Sequence, residues 1–187
     1  EAFTAAWKQD VVRRALAAQG LGAPLRPLVT SPPASRRRAG FAIRRGKGGV
    51  IVGFHAPMSE TVTDTPECLL VLPALLAARP FLQALGRVGA SRKAALTAQL
   101  TALDNGLDVA VSEAKPLDPG LAARLAGDCA PHGVVRLTWN GETVAQAVRP
   151  VLRVDGIEVT PPPGAFLQAT EAGEAALRDA VTEALGQ

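Results

Sequence analysis

Apolar residues recur at helical spacing from Phe3 through Trp7, Val11, Ala15 and Ala18, and Gly20 then supplies a stop. The pattern predicts an amphipathic helix over 3–19. A proline-rich irregular stretch, 21–33, carries the chain to Arg36-Arg37-Arg38. From Ala39 the period falls to two, with Phe41 and Ile43 on one face and Ala42 and Arg44 on the other. Gly46-Lys47-Gly48-Gly49 turns this strand back into 50–55, which makes a hairpin with a basic tip. Pro73 suits a first helical turn, and a helix through Leu75, Leu76 and Leu82 with a kink at Pro80 follows. The stretch 93–103 fits both periods. The Asp104-Asn105-Gly106 turn and the alternation of Leu107, Val109 and Val111 decide for a strand there. Asp118-Pro119 reads as the N-cap and first turn of a short helix ending before Gly133. Two more hairpins turn at Asn140-Gly141 and Asp155-Gly156. Pro161-Pro162-Pro163-Gly164 interrupts, and a last helix starts near Thr170 with Leu177, Val181 and Leu185 on one face.

Hairpins dominate and no regular βαβ alternation is present. The expected fold class is therefore α+β, an antiparallel sheet built from hairpins with flanking helices.

Composition narrows the class without indicating an activity. With 48% hydrophobic residues among 187, the chain can bury a core, and its modest net charge of +3 argues against disorder. Its two cysteines exclude a disulfide scaffold and fit a reducing cytoplasm. The longest apolar stretch, 68–86, contains Pro73, Arg79 and Pro80, so it reads as a buried strand end and helix, not a membrane span. The chain opens on Glu1 and its one methionine is Met58, which reads as a processed product or an excised piece.

Charge changes the picture more. Between Val11 and Glu60 there are nine basic residues and no acid, while the remainder is net negative. Arginine outnumbers lysine sixteen to four, and its planar fork suits bidentate phosphate contacts and stacking on bases. Codon bias explains a high arginine total better than it explains the missing acids. A polyanion-binding surface, on which these cations gather, is the sharper reading.

Catalytic patterns are absent. Neither His55 nor His132 sits in a nucleophile-elbow or zincin pattern, and no phosphate-cradling loop opens a helix. Cys129 and His132 have metal-ligand spacing and could join His55 and Cys68 around zinc. Those two are far apart in sequence, however, so Cys129 reads as a small apolar residue packed under its helix.

Five segments fall into one order: Ala6-Trp7-Lys8-Gln9, the run from Ser31 to Arg38 with its hairpin, Thr65-Pro66-Glu67-Cys68, and Pro162-Pro163-Gly164 followed by Ala165-Phe166-Leu167-Gln168. Together they resemble the S-adenosylmethionine-dependent RNA uracil-5-methyltransferases, over nearly the whole chain. The resemblance implies residues 1–160 as a central RNA-recognition domain. It implies 161–187 as a linker and the first helix of a truncated class I methyltransferase domain. It implies an RNA partner, with ribosomal RNA favoured over transfer RNA and a role in rRNA processing, contacted through Arg36, Arg37, Arg38, Arg44, Arg45 and Lys47; Ser35 stands where an aromatic often precedes the arginines. Phe166 and Gln168 match the family's F-x-Q element beside the methyl donor and the flipped uracil. Cys68 matches the distant ligand of an iron-sulfur cluster, with Leu69 replacing the usual proline. The three upstream cysteines are not in this chain, so a cluster is expected at most in a parent protein. The catalytic cysteine, general base and cofactor loop follow the F-x-Q element in the family, so this chain alone is expected to be a catalytically inactive monomer. A free-standing basic protein-interaction or structural module is the competing reading.

Overall fold

The computed structural model describes residues 2–186 and divides into two compact units, 33–171 and a smaller one made of the two ends of the chain. Among the described residues the larger unit holds nine strands and three α-helices, and the short strand at Val62–Asp64 is the one that the hydrophobic pattern did not predict. Strands β1 (Arg38–Gly46), β2 (Gly49–His55), β3 (Val62–Asp64), β4 (Leu96–Leu103), β5 (Gly106–Ser112), β6 (Val134–Trp139) and β7 (Glu142–Gln146) form one sheet in the order β3-β2-β1-β4-β5-β6-β7. A separate ribbon pairs β8 (Leu152–Val154) with β9 (Ile157–Val159). The turns do the work expected of them: Asn140 and Gly141 between β6 and β7 both have positive φ, at 49° and 92°, as a tight two-residue hairpin loop requires.

One pair departs from the all-hairpin expectation. Strands β5 and β6 are parallel, because helix α4 (Pro119–Cys129) carries the chain back across the sheet between them. Asp118 caps α4 as expected, its Oδ1 accepting from the Leu121 amide at 2.9 Å. The helix expected around Pro80 is two helices, α2 (Pro73–Ala77) and α3 (Arg79–Gly89), joined at Ala78.

Strand alternation sorts the sheet into two faces. On one, Phe41, Ile43, Leu96, Leu100, Val109 and Leu137 are fully buried with Leu75, Phe81, Leu82 and Leu85 from α2 and α3 and Leu125 from α4. Helix α3 lies close enough that a Cβ on Gly86 would stand 2.5 Å from Val50 and 2.6 Å from Ile43. The other face places Arg38 beside Thr101, Gly40 beside Gln99, Gln99 beside Ala110 and Ala110 beside Thr138.

In the smaller unit, α1 (Ala2–Ala18) and most of α5 (Glu171–Ala184) appear where the periodicity put them. Their apolar positions Phe3, Trp7, Val11, Leu177, Val181 and Leu185 are exposed. Asp10 holds Arg13 and Arg14 in ion pairs, and Arg26 pairs with Glu183 at 2.5 Å. No helix among the described residues is long and apolar enough to cross a membrane.

Candidate nucleic-acid interface

Acids absent from the sequence between Val11 and Glu60 return in space. Three of the nine cations are held by Asp10 and Glu183 within the smaller unit, and a fourth, Arg37, is buried. Arg37 is a structural residue. Its amide donates to the Ala169 carbonyl at 2.8 Å, its Nε donates to the Gln168 carbonyl at 3.3 Å, and a guanidinium nitrogen stands 3.8 Å from Glu171.

The six basic residues singled out therefore do not make one continuous patch. Arg44 and Arg45 are consecutive on β1 and point to opposite faces. Arg45 donates to the Arg87 carbonyl on α3, on the helix side, whereas Arg44 donates to the Glu60 carbonyl. Lys47 is exposed at the hairpin tip, and Arg36 is exposed beside a hollow of about 540 Å³ that also includes Cys68. Arg38 and Arg44 share the open sheet face.

The decisive placement is of Arg38. Its side chain makes no hydrogen bond or ion pair among the described residues, and its guanidinium lies over the Phe166 ring, 5.8 Å from the centroid. Phe166 itself is 77% exposed, so its other side is open to a planar partner. Two anchors hold the segment that carries it. At one end, Arg136 forms a bidentate pair with Asp108, both contacts 2.8 Å, and also donates to the Pro161 carbonyl at 2.8 Å. At the other, Arg37 holds the Gln168 carbonyl. The Gln168 carboxamide makes no hydrogen bond among the described residues, which leaves it available to a cofactor or a base. Sequence reasoning missed Asp108 and Arg136. A lone acid in an apolar strand opposite a lone arginine was the available signal, since buried charges are almost always paired.

The cysteines do not build a metal centre. Cys68 is half-buried, and Cys129 donates its Sγ proton to the Leu125 carbonyl at 3.2 Å. Burial, with the charge of Asp128 adding to it, pushes the Cys129 thiol up to about 11. His132 packs against Phe81 with ring centroids 5.4 Å apart. Among the described residues no three His, Cys, Asp or Glu side chains gather around a point, and an iron-sulfur cluster wants about four thiolates. This chain's own residues do not fit a cluster.

No family model matches the chain. Relatives do. The chain is 36% identical to an uncharacterized RNA methyltransferase of Caulobacter vibrioides, over 97% of its own length and 46% of that protein. It is 34% identical to an uncharacterized RNA methyltransferase of Mesorhizobium japonicum, over 94% of its own length and 42% of that protein. This chain is a relative of the RNA methyltransferases. It spans about half the length of the curated relatives it matches. Its fold is also found in the tRNA (uracil-54, C5)-methyltransferase of Pyrococcus abyssi, solved in complex with S-adenosyl-L-homocysteine. That match has a TM-score of 0.62 and 15% identity, and covers 97% of this chain and 48% of that one.

Proposed function

We propose that the chain is the RNA-recognition portion of an S-adenosylmethionine-dependent RNA uracil-5-methyltransferase, spanning a recognition domain (1–160) and the entrance to a methyl-transfer domain (161–187). The observation that carries this reading is the exposed Phe166 ring backed by the Arg38 guanidinium, two residues from the Gln168 carboxamide. A uracil extruded from RNA offers a flat face to stack on the ring and a polar edge for an amide to satisfy. Arg38 and Arg44, on the open sheet face, supply the cationic surface for the phosphates on either side. The relatives named as RNA methyltransferases, the shared fold and the order of the sequence motifs support it. S-adenosylmethionine, when bound, would supply the methyl group, and Phe166 and Gln168 would stand beside it and the target base. The nucleophile and the base that removes the C5 proton are assigned to no residue of this chain.

Filter binding of a uridine-containing RNA stem-loop across a salt series tests the reading. Affinity should fall steeply with salt, and Phe166→Ala should weaken binding by roughly 1–3 kcal/mol at each salt, the range for losing one stacked base. Affinity indifferent to salt would overturn it.

A further inference from the structure

The open face of the sheet holds a second feature, apart from the Phe166 ring. Arg38, Thr97, Gln99 and Thr138, from three strands, line a hollow of about 490 Å³ that Pro163 and Gly164 close on one side. That volume is in the range of small-molecule sites. Two of the residues that line it each carry a buried donor with no partner. Thr138 is only 3% exposed and its Oγ1 is buried without a hydrogen bond, and the buried Nε of Arg38 is in the same position. A buried polar group left unpaired is a cost the fold could shed by replacing threonine with valine, which has the same shape. Two such atoms beside one hollow point to a ligand that supplies acceptors.

The remaining polar groups define its chemistry. Gln99 Nε2 donates to the Leu100 carbonyl at 3.3 Å, so its Oε1 is the end left to accept. Thr97 donates its hydroxyl to Glu113 Oε2 at 2.9 Å, which puts an engaged carboxylate next to the hollow. One guanidinium, one hydroxyl and one amide oxygen, with an acid nearby, make a poor site for a free phosphate, which calls for several cations. They do suit a planar group with acceptors and a donor along one edge. The small side chain of Ala110 and the backbone at Gly164, where a Cβ would stand 3.6 Å from the Ala110 Cβ, leave the wall flat.

We propose that this hollow receives a second extruded nucleobase of the RNA, separate from the one stacked on Phe166, and reads its hydrogen-bonding edge through Thr138, Arg38 and Gln99. The proposal rests on the RNA-recognition reading above. Single-stranded RNA is read in this way, with splayed bases hydrogen-bonded on their edges.

The test is NMR titration of the full chain with single-stranded uridylate and adenylate hexamers and, separately, with inorganic phosphate. The hexamers should shift the amides of Gln99, Ala110 and Thr138, and phosphate should not. Thr138→Val should keep or raise the melting temperature yet bind the preferred hexamer about five-fold more weakly, the loss of one hydrogen bond of ordinary strength. Phosphate moving the same amides, or a Thr138→Val variant that binds equally well, would overturn the proposal. If the hexamers bind with the expected salt dependence but leave these amides unmoved, the second-base site falls and RNA recognition stands. If the hexamers and the stem-loop both fail to bind, both readings fall.

Discussion

Replacing Asp108 by alanine should be among the most damaging single changes available in the sheet. The carboxylate accepts two hydrogen bonds from Arg136 at 2.8 Å, and the side chains of the two residues are 4% and 5% exposed. Removing one member of such a pair leaves a guanidinium in a desolvated place with its charge uncompensated, which costs about 3–5 kcal/mol. A domain of this size has roughly 5–15 kcal/mol to lose. Urea unfolding followed by tryptophan fluorescence reports the change, since Trp139 lies on β6 with Arg136. The double variant Asp108→Leu with Arg136→Met, which replaces both charges by apolar groups of similar size, should cost far less than Asp108→Ala alone. It should also lose the hydrogen bond to Pro161, so amide exchange across residues 164–168 should quicken although the sheet stays intact. A cost below about 1 kcal/mol for Asp108→Ala, the value of an exposed pair, would refute the argument that the pair is desolvated.

Other outcomes follow from the same geometry. Gly86→Ala should destabilise by about 1–3 kcal/mol in the same assay, because the added methyl meets the stiff, β-branched Val50 and Ile43 at 2.5 and 2.6 Å. Arg44→Ala should lower the salt slope of RNA binding by about 0.7–0.9 with little effect on stability, whereas Arg37→Ala should lower stability and leave the slope of the folded fraction unchanged. Stability should also decline at high pH through Cys129. Its thiol ionises near 9.0 unfolded and about 11 folded. The folded state holds the extra proton between those values, so the contribution is fully present below pH 9 and is lost as pH rises through 11, at most roughly 3 kcal/mol. Cys129→Ala should flatten that slope in pH-dependent urea unfolding.

The strands were legible where the period of two met an unambiguous turn. Asn140-Gly141 and Asp155-Gly156 can adopt positive φ cheaply, and each fixed a hairpin, although the β6–β7 register shifts between Leu137 and Thr138. The β4 segment was ambiguous by periodicity and was resolved only by the turn after it. The parallel β5–β6 pair was not legible, because a helix between two strands also fits an arrangement in which they are not neighbours, and long-range contacts decide between the two. The spatial grouping of the cations was not legible for a related reason. A run of basic residues says nothing about which side of a strand each one faces, nor about an acid brought in from elsewhere, as Glu183 is, and Asp10 one turn before Arg13 and Arg14 lies just outside the acid-free stretch. The Arg38–Phe166 contact joins residues more than a hundred positions apart, so it was visible only as two separate motifs.

The segment from Pro161 to Gln168 is pegged by a guanidinium at each end, and three consecutive prolines stiffen its first part. Most of the entropy that a free loop would surrender on meeting a ligand has therefore already been spent during folding. An aromatic ring mounted on such a preorganised bridge can accept a base without an induced closure. Its association rate should then be set by how fast the RNA exposes that base, not by motion of the protein.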